Sequence, residues 1–313
     1  MDLVHWERLY RTGAIAACPT TEDGGIDGNL CACWDAFFDS LPDTARVLDL
    51  ATGNGALAGL AAAAARGRPW QIHACDAARI DPLQDVADAA TRLAGIQFHP
   101  QQPNERLPFP DAHFDAVVGL YALEWGDTAA TLAEVARALR PGAQAQFVLA
   151  HADAPMVQAA AVAAREALMA LDELALFPRL QALLAEPLGP AAAQRAGMDV
   201  QSAIRTLKQA LPAAQARGGG RMLALALETI RDLLAERSQT GPRATQVRLA
   251  AAEARLRDGA RRIAELAENA CDDARIAVIA GEAKAAGLRV LARAPVWQQG
   301  QVLVGWRLQL QRD

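Results

Sequence analysis

The stretch Arg46-Val47-Leu48-Asp49-Leu50-Ala51-Thr52-Gly53-Asn54-Gly55-Ala56-Leu57-Ala58 decides the fold. Val47, Leu48 and Leu50 form a short apolar run with the character of a buried strand, interrupted by Asp49. Gly53 and Gly55 then turn the chain tightly, and the alanine-rich run that begins at Ala56 predicts a helix over 56–66. Strand, glycine turn and helix N-terminus together predict a site for a nucleotide-like ligand. Glycine lets the backbone approach closely, and the first helical turn presents unpaired N–H groups.

Downstream the same alternation repeats. Strands are predicted over 71–75, 96–99, 114–120 and 143–150, with helices over 83–93 and 129–139 between them and a turn at Pro141-Gly142. Single helices between strands mean βαβ crossovers, hence a mostly parallel sheet covered on both faces. From Pro155 to about Ala270 the sequence shows only Ala-, Leu- and Arg-rich helical runs, punctuated by Pro178, Pro187, Pro190, Pro212, Gly218 to Gly220 and Gly241-Pro242. Arg255, Arg261 and Arg262 among Glu253, Glu265 and Glu268 read as a solvated helix face with short-range ion pairs. A helix over 274–286 and a hairpin of strands 289–296 and 301–310 close the chain. Upstream, Trp6, Leu9 and Tyr10 suit a short amphipathic helix over 5–11, 12–29 reads as loop, and Trp34, Phe37 and Phe38 share a face of a helix over 30–41. The expected organisation is an N-terminal cap or lid (1–45), a core (46–153 and 271–313) and a helical insertion (154–270).

Composition narrows the function. In 313 residues the net charge is −5, which disfavours a nucleic-acid partner or a basic membrane-binding face. Residues 1–13 mix acidic, basic and aromatic side chains with no apolar core of a signal peptide, and no apolar run reaches the length of a membrane span. Five cysteines do not suggest a disulfide scaffold, so a reducing cytoplasm is expected. Cys31-x-Cys33 has no second Cys/His pair nearby and reads as small core residues, so no metal site is expected.

Gly53-x-Gly55-x-x-Ala58, with Asp76 closing the second strand, fits the permissive dinucleotide fingerprint, in which such an acid accepts hydrogen bonds from both ribose hydroxyls. Three further features carry a resemblance. Asp49 followed by Ala51 to Gly55 resembles motif I of the class I S-adenosylmethionine-dependent methyltransferases. Leu107-Pro108-Phe109-Pro110-Asp111-Ala112-His113-Phe114-Asp115-Ala116-Val117-Val118 is similar to that family's entry to strand four. Leu139-Arg140-Pro141-Gly142-Ala143 is similar to its turn into strand five.

The resemblance implies a Rossmann-like, seven-stranded sheet with a C-terminal antiparallel hairpin. It implies S-adenosyl-L-methionine as methyl donor, with S-adenosyl-L-homocysteine as product. Asp49 would organise the glycine loop, Ala51, Gly53 and Gly55 would line the methionine part, and Asn54 would be a further cofactor-binding residue. Asp76 would take the ribose hydroxyls, and Gly119 and Leu120 would lie beneath the sulfonium. The acid usual after strand three has no clear match in Gln101-Gln102-Pro103-Asn104-Glu105, which leaves Gln102 or Asn104 for the adenine.

Tyr121, Glu124 and His151 stand at strand ends as candidate general bases. An imidazole suits proton abstraction near neutrality, although His151 reads equally as satisfying a loop backbone and Glu124 with Trp125 as core. Asp153 and a cofactor-reaching Arg11 are further candidates; the Asp272-Asp273 pair reads as a helix cap.

The expected partner is a small-molecule acceptor methylated on oxygen, nitrogen or carbon. The insertion is a candidate lid, specificity element or homodimer surface. Two alternatives remain open at this point: an NAD(P)-dependent oxidoreductase on the same glycine turn, and a non-catalytic methyltransferase-fold binding or assembly protein.

Overall fold

The computed structural model describes residues 2–16, 28–184, 189–298 and 300–313. Much of the predicted 12–29 loop, Pro187 and the Cys31 side chain lie outside the described residues. The chain divides into two compact units, Met1–Val157 with Asn269–Asp313, and Gln158–Glu268.

The first unit is built on a seven-stranded sheet. In chain order it contains α1 (Val4–Tyr10), α2 (Gly28–Asp39), β1 (Arg46–Leu50), α3 (Ala56–Ala65), β2 (Gln71–Asp76), α4 (Pro82–Asp85), α5 (Ala89–Arg92), β3 (Ile96–Pro100), β4 (Phe114–Leu120), α6 (Thr128–Ala138) and β5 (Leu139–Ala150). The strand order is β3-β2-β1-β4-β5-β7-β6, where β6 (Leu288–Gln298) and β7 (Val302–Arg312) form the closing hairpin. β1 to β5 run parallel, and β7 lies antiparallel between β5 and β6. The α/β class read from the sequence, with its antiparallel end, is the observed one.

The main core lies on one face of this sheet. Leu48, Val117, Phe147 and Leu308 pack with Leu132, Val135, Ile276 and Ile279, and each such buried side chain contributes about 1.5–3 kcal/mol. On α2, Trp34, Phe37 and Phe38 are all buried, as their spacing predicts.

Two local expectations are corrected. The helix expected over 83–93 is two single turns, because Val86 is extended and Asp88 adopts φ +60. The Pro141-Gly142 turn is absorbed into β5: Phe114 pairs with Leu139 but Ala116 with Gln144, a bulge in which Gly142 takes φ +78.

The second unit holds most of α7 (Pro155–Leu168), a π-helical turn (Met169–Glu173), α8 (Leu176–Leu184), α9 (Pro190–Gln215), α10 (Arg221–Thr240) and most of α11 (Pro242–Asn269). It has its own core, with Phe177, Leu180, Leu207, Leu223, Ile230 and Leu249 buried. Pro178 and Pro212 do not break helices as expected. Pro178 falls in the first turn of α8, where its missing N–H costs nothing, and Pro212 in the last turn of α9. Of the residues expected to form short-range ion pairs on α11, Arg261 pairs with Glu265 at 3.0 Å, while Glu253 pairs with Arg257 at 2.9 Å, an arginine the sequence reading did not name. Among the described residues no helix is long and apolar enough to cross a membrane. The chain then returns through α12 (Asp273–Ala285), capped by Asp272, whose carboxylate accepts the Arg275 N–H.

Candidate functional site

The carboxyl ends of β1, β2 and β4 meet where strand order reverses, the place at which open α/β sheets bind ligands. A cavity of about 490 Å³ lies there, with Asp49, Ala51, Gly53, Asp76, Asn104, Leu120 and Tyr121 among its lining residues. Asp49 is held inside the loop it precedes: its Oδ2 accepts from the Thr52 hydroxyl (2.6 Å) and the Ala58 N–H (3.1 Å). Asp76 accepts from the Gly53 N–H on Oδ2 and the Ala78 N–H on Oδ1, each at 2.8 Å. Burial pushes Asp49 up to about 7 and Asp76 up to about 6, and in each case the donors only partly offset it.

The backbone between them is tightly wound. Ala51, Gly53 and Gly55 have φ of +50, +54 and +86. A Cβ at Gly53 would stand 2.7 Å from the Tyr10 ring, and one at Gly55 2.9 Å from Phe98. Only glycine meets both demands. Ala51 carries the same left-handed conformation with a side chain, at a cost of about 1 kcal/mol.

The predicted cofactor residues separate here. Asn54 is fully buried and does not line the cavity; its amide donates to the Tyr10 and Ala14 carbonyls, 2.8 Å each. Gly55 caps α3 beneath Phe98, and Gly119 packs against Phe147 and Ala122, both outside the lining. Gln102 turns away, its side-chain amide donating to the Arg106 carbonyl. Asn104 lines the cavity, buried, with its Oδ1 lacking a hydrogen-bond partner.

The base candidates separate as well. Tyr121 lines the cavity at φ +52, and its hydroxyl donates to the Val304 carbonyl at 3.0 Å, which commits the proton to β7. Glu124 is wholly buried outside the lining. Its Oε1 accepts the Ala150 N–H at 2.8 Å, its Oε2 has no partner, and burial pushes it up to about 7. His151 stacks on Trp306 at 4.5 Å, its Nδ1 accepts the Asp153 N–H, and it too is outside the lining. Arg11 pairs with Glu7 at the surface rather than turning to the cavity.

One wall of the cavity comes from the N-terminal segment. Leu3, Trp6, Tyr10, Ile15 and Ala16 line the cavity from the N-terminal segment, and Trp125 from the loop after β4. Trp6 meets Trp125 edge-on at 5.4 Å and stacks on Tyr10 at 6.2 Å. Their helical spacing was visible as amphipathicity; nothing in it said which surface they would face. The charged lining residues are Asp49, Asp76 and Glu105, all acidic.

Residues 47–142 match the family described as methyltransferase domain. Over that stretch the chain is similar to a methyltransferase domain. A 110-residue stretch is 39% identical to a 2-phytyl-1,4-naphtoquinone methyltransferase of Synechococcus elongatus, covering 34% of this chain and 46% of that protein. The chain thus spans about half the length of the curated relative it matches. Solved S-adenosylmethionine-dependent methyltransferases of Mesorhizobium loti and Aquifex aeolicus align at 26% and 11% identity. They cover 41% and 100% of this chain and 56% and 100% of their own, with TM-scores of 0.31 and 0.47.

The chemistry of the lining suits S-adenosylmethionine as a donor. The donor carries a sulfonium and an ammonium, which favour an acidic lining and outweigh its single carboxylate. Its adenine carries an amino group, a donor for an orphaned acceptor such as Asn104 Oδ1.

Proposed function

We propose that the chain transfers the methyl group of S-adenosylmethionine to a small, apolar acceptor that bears no negative charge. The observation that carries this reading is the pair of buried carboxylates, Asp49 and Asp76, in one cavity with an aromatic wall. Asp76 accepts the ribose hydroxyls, Asn104 bonds the adenine amino group, and Ala51 and Gly53 line the methionine part. Leu120 and Tyr121 stand beneath the sulfonium as floor, Tyr121 acting as a rigid surface rather than as a base. The donor supplies a methyl group already activated for displacement, so these residues need only hold the partners in line and exclude water.

Trp6 and Trp125 offer the acceptor an apolar edge. Among the described lining residues an anionic acceptor would meet three carboxylates and no cation. The quinone in the name of the Synechococcus relative supports a neutral, ring-bearing acceptor. With Glu124 and His151 outside the lining, the acceptor brings its own uncharged nucleophile, an electron-rich carbon or a neutral amine, whose proton leaves to solvent after the methyl group has been transferred.

Calorimetry with S-adenosylhomocysteine tests the donor half, and NADH binding in its place would overturn it. Turnover of tritiated S-adenosylmethionine with a panel of neutral quinols and phenols against carboxylate acceptors tests the other half. Preference for the carboxylates would refute it.

A further inference from the structure

Asn54 sits between the two glycines of the cofactor turn, yet its side chain points away from the cavity and spends both amide hydrogens elsewhere. The acceptors are the backbone carbonyls of Tyr10 and Ala14, 44 and 40 residues back in the chain. Since both partners are carbonyls, the amide can be oriented only one way, and Asn54 Oδ1 is left buried without a partner. A buried polar atom left unsatisfied is a cost, and at Asn54 it accompanies two hydrogen bonds that hold two separate points of the N-terminal segment.

The same segment is fastened at two further points. Glu7 on α1 accepts the Arg79 N–H at 3.2 Å, in the loop after β2. Trp6 packs edge-on against Trp125 in the loop after β4. Residues 3–16 thus rest on the loops that follow β1, β2 and β4, the three that frame the cavity, and supply one of its walls. The Tyr10 ring lies directly over Gly53.

We infer that Asn54 is a positioning residue, a latch by which the glycine turn holds the N-terminal segment closed over the bound donor and sets the rate of product release. This rests on the cavity being the donor site. The latch touches backbone carbonyls only, so it reports on the position of the segment whatever side chains the segment presents. Losing two buried hydrogen bonds shifts the opening equilibrium roughly 10- to 100-fold, and the dissociation of S-adenosylhomocysteine follows it.

The test uses the full chain with Asn54→Ala, Asn54→Asp and Glu7→Ala. Two quantities are read: the dissociation rate of S-adenosylhomocysteine, and the rate of tryptic cleavage after Arg8 and Arg11. Asn54→Ala is expected to raise both at least tenfold. Asn54→Asp, which turns a carboxylate toward two carbonyl oxygens, should raise them as much or more. Glu7→Ala, remote from the glycine turn, should raise both by a smaller factor. In the wild type, saturating S-adenosylhomocysteine should slow the cleavage at least fivefold.

Weaker binding of S-adenosylhomocysteine with unchanged cleavage after Arg8 and Arg11 would mean that Asn54 only shapes the glycine turn, and would overturn the latch. Should both Asn54 variants fail to fold, Glu7→Ala decides: unchanged release and cleavage would refute it. If the wild type binds no S-adenosylhomocysteine, the donor reading itself falls, and closure over the donor falls with it. Ligand binding with no ligand protection of Arg8 and Arg11 refutes the closure alone.

Discussion

The Gly53 N–H donates to Asp76 Oδ2 at 2.8 Å, so the glycine turn after β1 and the acid that ends β2 are one unit. Replacing Asp76 with Ala removes the acceptor of two N–H groups, those of Gly53 and Ala78, together with the proposed ribose contact. Affinity for S-adenosylhomocysteine should fall about 100-fold, in keeping with the loss of charge-assisted hydrogen bonds. Calorimetry checks this, and an unchanged affinity would sink the assignment of Asp76.

The same carboxylate predicts a pH dependence of binding. Asp76 is pushed up to about 6 by burial, and a protonated carboxyl accepts less well from ribose hydroxyls. Affinity should therefore be flat above pH 7 and fall about tenfold by pH 5. A titration of the dissociation constant across pH 5 to 8 reads it directly, and a rise toward acid would contradict it.

Glu124 should make the free protein less stable as pH rises. Its folded pKa, about 7, lies above the unfolded value, so its contribution is fully present below about pH 4.5 and is lost through pH 7. Glu124→Gln keeps an acceptor for the Ala150 N–H and removes the buried charge. At pH 8 the variant should melt about 2–4 °C above the wild type, the shift expected for about 1 kcal/mol. At pH 5 the two should melt together.

His73 predicts the opposite slope. Burial lowers it to about 4, helped by His99 and His113, and its Nδ1 lies 3.0 Å from His99 Nε2. Its folded pKa lies below the unfolded value, so its contribution is present above pH 6.5 and is lost as pH falls toward 4. His73→Phe, which suits the aromatic surroundings of Phe109 and Phe114, should flatten that acid limb in a series of thermal melts.

Tyr121→Phe separates wall from base. The change removes the donor to the Val304 carbonyl and should cost about 1 kcal/mol of stability. With an acceptor in hand, kcat should stay within about threefold. A loss of about 100-fold or more would make Tyr121 a general base.

The sheet was legible because its signals are local. Apolar runs such as Val117-Val118 announce buried parallel strands by composition alone, and Gly53 and Gly55 announce a tight turn with no room for a Cβ. The paired acids were legible for the same reason, since spacing along the chain fixes which strand end carries each. What escaped depends on contacts across long separations. Asn54 looks like a ligand to the cofactor until Tyr10 and Ala14 are brought to it. Trp6 reads as one more apolar position on a helix until Trp125 stands opposite. The break at Val86 was hidden because a short extended kink leaves helical periodicity almost intact on either side.

One consequence of the strand order concerns synthesis rather than catalysis. β5 is twelve residues long, and its outer edge from Gln144 to Ala150 pairs with Gly305 to Gln311 of β7. The ribosome must make the whole of the second unit before that partner emerges, a delay on the order of ten to thirty seconds at ordinary elongation rates. Throughout that interval the nascent sheet presents a long unpaired edge, the kind that pairs with a neighbouring chain if nothing shields it. Yield in the cell should therefore respond to translation speed and chaperone supply even for variants whose folded state is unaltered.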